Sequence, residues 1–185
     1  MNREEAIAYL KNTTRSIVDY PKKGIVFRDL TTVFQDRDAF ALALELMSGC
    51  LMEEGDRVTT YDKLAGIEAR GFLLAGAMAG KMGGGVVMMR KPGKLPYRKR
   101  RVEYHLEYGK DSLEVHEDAI LPGEKIIIVD DLLATGGTAE AACRLVEESG
   151  GIVVKVMFLV ELPALGGRKK LSRYQVDSIF DFEGA

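Results

Sequence analysis

The densest chemistry in the chain lies in one run, Ile126-Ile127-Ile128-Val129-Asp130-Asp131-Leu132-Leu133-Ala134-Thr135-Gly136-Gly137-Thr138. Its β-branched half reads as a buried strand, ending in two adjacent carboxylates before a Thr/Gly turn opens a helix. Gly136 and Gly137 adopt backbone angles closed to other residues and let the chain come close to a ligand. Free N–H groups at a helix start favour an anion, and Thr135 and Thr138 add hydroxyl donors. The turn is suited to a phosphate monoester. Two carboxylates beside it would repel that phosphate, so they need another partner: ribose hydroxyls, or a metal ion such as Mg²⁺. Successive strand side chains point to opposite faces, so Asp130 and Asp131 need not share one job. No Gly-Lys-Ser/Thr follows, which separates the turn from a P-loop. The plainer alternative is a Gly-rich turn with a capping threonine and solvated acids.

Other residues carry weaker signals of their own. Arg70 follows a strand and precedes Gly71; a guanidinium there can clamp phosphate oxygens in a bidentate way, or form an ion pair with Glu68 or another acid. Arg90 and Lys91 end a strand and, alone, read as a solvated basic pair. Phe27 and Arg28 follow a Pro/Gly turn. Phe27 reads as core or as a face that stacks on a base, and Arg28 as a local ion pair with Asp29. His105 and His116 have no partner cysteines and are assigned no metal. The methionines at 47, 52, 78, 82, 88 and 89 read as core filler.

The elements that must position these groups follow from periodicity. Ala6, Ile7, Leu10, Thr14 and Ile17 predict a first helix, and a turn follows at 19–24. A second helix is predicted over 38–54, with Phe40, Ala43, Leu44, Met47 and Leu51 on one face and Gly55 past its end. Then come a strand at 63–67, a helix at 71–82, a Gly stop at 83–85 and a strand at 86–89. After them follow a strand at 125–131, a helix at 138–149 and a strand at 152–160. Strand–helix–strand order implies parallel pairs with right-handed crossovers, hence an α/β sheet with helices on both faces. Between 92 and 106 periodicity fails, and the basic Tyr97-Arg98-Lys99-Arg100-Arg101 lies in a stretch too long for a tight turn. This reads as a lid. The segment past Leu171 is the least informative.

The turn resembles the phosphoribosyl-diphosphate signature of the type I phosphoribosyltransferases. Four further segments narrow the resemblance to the members that act on adenine: Tyr20-Pro21-Lys22-Lys23-Gly24-Ile25-Val26-Phe27-Arg28-Asp29, Gly66-Ile67-Glu68-Ala69-Arg70-Gly71-Phe72, Arg90-Lys91-Pro92-Gly93-Lys94-Leu95-Pro96 and Leu106-Glu107-Tyr108-Gly109. The resemblance implies a type I phosphoribosyltransferase fold, a mostly parallel sheet with helices on both faces, a flexible lid loop at about 92–108 and a small N-terminal hood. It implies one domain over 1–185 and the conversion of adenine and phosphoribosyl diphosphate to AMP and pyrophosphate. By resemblance Ala134, Thr135, Gly136, Gly137 and Thr138 hold the 5′-phosphate, and Asp130 and Asp131 bind the ribose hydroxyls. Arg70 and Lys91 then fall where the family binds pyrophosphate and, with Glu107, are the catalytic residues; the lid residue Lys94 binds substrate, and Val26, Phe27 and Arg28 form the adenine site. Glu107 takes a proton from the purine or polarises its N7 edge, or is an ordinary exposed acid; Tyr108 closes over the site or simply packs. Mg²⁺ bridges ribose and pyrophosphate, held mainly by substrate oxygens, and the family implies a homodimer. The basic run at 98–101 departs from the family pattern: it attracts the anionic substrate or is merely solvated. Two alternatives share the fold: transfer to another base, and a regulator that senses phosphoribosyl diphosphate while binding nucleic acid.

Composition bounds the rest. In 185 residues, 46% hydrophobic residues with a net charge of −2 argue against disorder and against a wholly basic surface. No nucleic acid is therefore expected as a partner, although a local basic patch can still bind one. The charged start shows no signal-peptide core, and no apolar stretch approaches the ~20 residues of a membrane helix. Cys50 and Cys143 sit in apolar helical patterns without metal-ligand spacing. A disulfide stays open, but the reading is a reduced, cytoplasmic protein.

Overall fold

The computed structural model describes residues 1–53, 57–106 and 109–183. In chain order its elements are α1 (Arg3–Thr13), β1 (Arg15–Val18), β2 (Val26–Asp29), α2 (Thr31–Gln35), α3 (Arg37–Gly49), β3 (Met52–Glu53), β4 (Arg57–Val58), β5 (Lys63–Ile67), α4 (Arg70–Met82), β6 (Gly85–Met89), β7 (Lys99–Leu106), β8 (Gly109–His116), β9 (Lys125–Leu133), α5 (Gly137–Glu148) and β10 (Ile152–Glu161). A single 3-10 turn (Pro163–Leu165), α6 (Gly167–Lys170) and β11 (Val176–Asp181) complete the chain.

Five strands form the central sheet in the order β11-β10-β9-β5-β6, every neighbouring pair parallel. Alternation along the central strands sorts two cores. Ile126, Ile128, Val156 and Phe158 face α5 with Ala142, Cys143 and Val146, whereas Ile127, Val129, Met157 and Leu159 face Leu74, Ala75 and Met78 of α4 and Met47 of α3. A strand buried on both faces must be apolar throughout, which is why 126–129 is a continuous β-branched run. The connections β5-α4-β6 and β9-α5-β10 run in opposite directions across the sheet. Chain order therefore reverses between β5 and β9, and a crevice opens at the carboxyl ends of those two strands, the place where open α/β sheets bind ligands.

Several expectations need correction. Ile17 is not on the first helix: Thr14 caps α1, and Ile17 lies on β1, paired with Phe27 of β2. The second helix stops at Gly49, where the Cys50 N–H shares the carbonyls of Leu46, Met47 and Ser48; Leu51 is still buried, but Met52 pairs with Val58 as strand. Of the described residues in the 92–108 segment, 92–98 are irregular. From Lys99 on, β7 pairs in antiparallel register with β8, so half of the expected lid loop is a hairpin. Val102 and Tyr104 point inward and join Leu113 and Val115 in the α5-side core, while charged residues alternate outward and hide that pattern. The stretch past Leu171 supplies the edge strand β11. Of the methionines, Met47, Met78 and Met89 are buried, but Met52 and Met88 are exposed. Cys50 and Cys143 are both free thiols, and burial pushes Cys143 up to about 12. No helix among the described residues is long and apolar enough to cross a membrane.

Candidate active site at the sheet switch point

The Thr/Gly turn after β9 lines a cavity of about 90 Å³ formed by Asp130, Leu132, Leu133, Ala134, Thr135, Gly136, Gly137, Thr138, Ala139 and Phe158. Gly136 is the N-cap of α5 with φ +79, and no side chain caps the helix, so its first N–H groups are available to an anion. The turn is braced from behind by a segment 31 residues later. A methyl group on Gly136 would lie 2.7 Å from the Gly167 carbonyl oxygen, and one on Gly167 would run into the carbonyl of Ala134. Only two facing glycines allow this approach of backbone to backbone. Arg168, next to Gly167, fixes the bracing turn: its Nη2 donates to Glu161 Oε2 at 2.5 Å and to Ser178 Oγ at 3.0 Å, and its Nη1 to the Val176 carbonyl at 2.8 Å.

A second cavity of about 190 Å³ shares Asp130, Leu132 and Thr138 with the first and adds Ile67, Glu68, Ala69, Arg70, Lys91 and Asp131. Here the ends of β5, β6 and β9 meet. The Asp131 N–H donates to Asp130 Oδ1 at 2.9 Å, which folds the first carboxylate back on the strand. Arg70 Nε lies 2.6 Å from Asp131 Oδ2, yet no donor is aligned on that buried oxygen for a hydrogen bond. Burial, compounded by the charge of Asp131, pushes the Asp130 carboxyl well above the usual carboxylate range. Burial raises Asp131 too, although Arg70 pulls it back. The pair is thus two adjacent acids, half-buried and buried, with one oxygen, Asp131 Oδ2, lacking an aligned donor. One orphaned oxygen beside a second carboxylate fits ribose hydroxyls or a hard divalent cation. Among the described residues no group of three or more His, Cys, Asp or Glu gathers to hold a metal, so a cation here would complete its shell from a ligand's oxygens.

Glu68 is not the partner of Arg70. Its Oε2 accepts the Lys91 N–H at 2.8 Å and pairs with Arg90 Nε at 3.3 Å, which ties the end of β6 to the end of β5. Burial opposes its charge, but these donors outweigh it and hold the carboxyl low. The Lys91 ammonium is engaged as well. It donates to the Tyr104 hydroxyl at 2.7 Å and to Asp111, both on the hairpin, and Thr138 Oγ1 donates to the same hydroxyl at 3.3 Å.

The structure thus gathers Arg70, Lys91, Asp130, Asp131 and the turn Ala134, Thr135, Gly136, Gly137 and Thr138 around two adjoining cavities. Val26, Phe27 and Arg28 stand apart from both, on β2. Tyr20 meets Phe27 edge-on at 5.4 Å, and Arg28 reaches Ser16 Oγ at 2.6 Å and lies 4.2 Å over the Phe182 ring. Arg28 therefore does not pair with Asp29, whose carboxylate instead lies 3.6 Å from Arg15. Asp29 is the link to the crevice: Thr31 holds its carboxyl low, and the charges of Arg15 and Arg70 add to that. Lys94 is exposed, its carbonyl taking an Arg90 Nη1 hydrogen bond at 3.2 Å. Glu107 and Tyr108 lie outside the described residues. Sequence reasoning missed Tyr104, Asp111 and Gly167. Alternation within 102–104 is the one signal that exposes Tyr104, and a Gly-Gly pair followed by arginine is the only mark on Gly167.

The phosphoribosyl transferase domain family matches residues 32–185. An adenine phosphoribosyltransferase of Ruminiclostridium cellulolyticum is 51% identical over 173 residues, 94% of this chain and 99% of that one. The crystal structure of adenine phosphoribosyltransferase from Thermoanaerobacter pseudethanolicus superposes with a TM-score of 0.89 at 49% identity, covering 98% of this chain and 100% of that one. The enzyme of Saccharomyces cerevisiae, solved with an imino-altritol bisphosphate and adenine, matches with a TM-score of 0.89 at 35% identity, covering 95% and 99%.

Proposed function

We propose, for a chain that belongs to the phosphoribosyl transferase family, that the switch-point crevice is an active site for a 5-phosphoribosyl group. The chain is an adenine phosphoribosyltransferase: it converts adenine and phosphoribosyl diphosphate to AMP and pyrophosphate, a purine-salvage reaction. The observation that carries the site assignment is the adjacency of an uncapped, glycine-built anion turn to two neighbouring carboxylates, one of whose oxygens is buried with no aligned hydrogen-bond donor.

In this reading the 5′-phosphate enters the smaller cavity and takes the N–H groups of the α5 start with the hydroxyls of Thr135 and Thr138. The ribose hydroxyls donate to Asp130 and Asp131, which releases Arg70 toward the pyrophosphate, and Lys91 and Lys94 supply further positive charge to that leaving group. Asp130 and Asp131 would border a Mg²⁺ held mainly by substrate oxygens, and that ion would supply charge neutralisation for the pyrophosphate. The ribose approaches an oxocarbenium ion as the bond to pyrophosphate breaks, so holding base, sugar and leaving group in line is the main catalytic task. Val26 and Arg28 offer main-chain groups to the edge of adenine and Phe27 its ring, while Glu107 accepts or shares the purine proton and Tyr108 covers it. One domain carries the whole reaction. A homodimer fits the exposed Val86 and Met88 on the outer face of edge strand β6 and the exposed Leu73 on α4, the helix packed across that face. A cytoplasmic setting fits the two free thiols.

The test is turnover with Mg²⁺, phosphoribosyl diphosphate and one base at a time. AMP from adenine, with hypoxanthine, guanine, xanthine and orotate inert, is the expected result. Turnover of another base instead removes the assignment of Val26, Phe27 and Arg28. Failure with every base, in a folded protein that still binds phosphoribosyl diphosphate, rejects the enzyme reading. Arg70→Ala and Glu107→Ala should each lower kcat/KM by roughly 10²–10³, the usual loss for a charged group acting on a transition state. Full activity in either variant rejects that residue's role.

A further inference from the structure

Lys91 reaches the crevice with its charge already answered. Its ammonium has three N–H donors. One goes to the Tyr104 hydroxyl at 2.7 Å and another to Asp111 Oδ2, so one remains, on a lysine that lines the cavity holding Arg70, Asp130, Asp131 and Thr138. The Tyr104 hydroxyl is fully used. It accepts from Lys91 and from Thr138 and donates to Asp111 Oδ2 at 3.0 Å. The Tyr104 ring is buried in the α5-side core, so the hydroxyl stands on a fixed mount. Asp111 is held in turn, because the Ser112 N–H donates to its Oδ1 at 2.7 Å.

We infer that Tyr104 and Asp111 are positioning residues for Lys91, with opposite effects on the anion it receives. Tyr104 fixes where the ammonium stands, so that its remaining N–H faces the crevice. Asp111 fixes it too, but also masks its charge, so affinity for the anion rests on direction more than on net charge and the product can leave. This rests on the reading of Lys91 as a pyrophosphate ligand. A purely structural bridge between hairpin and sheet would make the two residues behave alike; an aiming residue and a masking residue behave in opposite ways.

The experiment is calorimetry of pyrophosphate with Mg²⁺ on four folded proteins: the unaltered chain, Tyr104→Phe, Asp111→Asn and Lys91→Met. Both hairpin changes keep shape and remove, respectively, one hydroxyl and one charge. Tyr104→Phe should bind pyrophosphate about threefold to tenfold more weakly, the worth of one hydrogen bond in fixing the lysine. Asp111→Asn should bind it about threefold to tenfold more tightly, because the amide oxygen can still accept from Lys91 and Tyr104 without cancelling the ammonium, although the Ser112 N–H then loses its carboxylate acceptor. In turnover, KM for phosphoribosyl diphosphate should follow the same two directions while KM for adenine stays put. Both effects should fall below twofold when each change is repeated on the Lys91→Met background, since neither residue then has a charge to aim or mask. Equal losses in both variants, or effects that persist without Lys91, overturn the inference and leave the enzyme assignment standing. An unaltered chain that binds no pyrophosphate overturns the assignment itself, and the inference with it.

Discussion

Replacing Asp130 and Asp131 together by asparagine should make the ligand-free protein more heat-stable and nearly inactive. The two carboxyls are half-buried and buried, one oxygen has no aligned hydrogen-bond donor, and both are pushed up, by burial first and at Asp130 by its neighbour's charge. A carboxyl raised in the folded state binds its proton more tightly there than in the unfolded chain. The stability it contributes is therefore fully present below the unfolded value, about 3.9, and is lost as pH rises through the folded values. At neutral pH the empty protein sits at the costly end of that window. The acids held low, Asp29, Glu68, Asp111, Glu124 and Glu161, act in the other sense: their contribution is present above the unfolded value and fades only as pH falls through their own depressed values. Above the ordinary carboxylate range the raised aspartate pair sets the trend, so the thermal midpoint of the ligand-free protein should rise on acidification toward that range. The double asparagine variant should gain about 1–3 kcal/mol at pH 7 from removing unsatisfied buried charge and lose that pH dependence. Turnover should fall about a thousandfold, since two or three charged hydrogen bonds to ribose at ~1.5–3 kcal/mol each are lost. A midpoint that does not rise rejects the claim that the pair is unsatisfied, and undiminished binding of phosphoribosyl diphosphate removes its ribose role.

The second large effect belongs to a residue that no part of the proposed chemistry touches. Gly167→Ala should weaken AMP binding about tenfold to a hundredfold while the sheet stays folded. The added methyl meets the Ala134 carbonyl, Leu133 Cδ1 at 2.8 Å and the Gly136 nitrogen at 3.0 Å, all of them in or under the anion turn. Backbone cannot swing aside as a side chain can, so the turn itself must shift, at a cost of about 1–3 kcal/mol. Such a shift misplaces N–H donors whose value depends on direction. Inorganic phosphate titration and thermal unfolding would be measured together. Unchanged phosphate affinity beside a lowered midpoint would mean that Gly167 supports the fold and not the turn.

These two cases mark how much of the molecule is legible in a single chain. The anion turn could be read directly because one contiguous segment supplies its strand, acids, hydroxyls and helix start. The parallel sheet could be read for a similar reason: each β-α-β unit announces itself locally in a change of period. Gly167 could not be read, because its role is a contact with Gly136, 31 residues earlier, and a glycine does not name its distant neighbour. The hairpin at 99–116 was hidden for another reason. Strand β7 buries only every second residue, and although Ser112, Leu113, Glu114 and Val115 of β8 are all buried, charged side chains dominate the composition of the hairpin and mask its packed face. Arg70 was singled out as a cation at a helix start, but its partner depended on which strand lay beside β5. Only the sheet order, with β9 next to β5, selects Asp131 over Glu68.

Strand β9 has neighbours on both sides and apolar layers on both faces, while the β7–β8 hairpin is a separate sheet carried on α5. In amide hydrogen exchange these are opposite ends of a scale. The amides of 126–130 should become labelled only when the whole domain opens, whereas those of 99–106 and 109–116 should be labelled through smaller, more frequent openings. One half of the crevice is thereby built on the slowest-opening strand and the other on a hairpin joined to the end of β6 by the Arg90–Glu114 bridge, so the support of Lys91 yields before the wall that holds the anion turn.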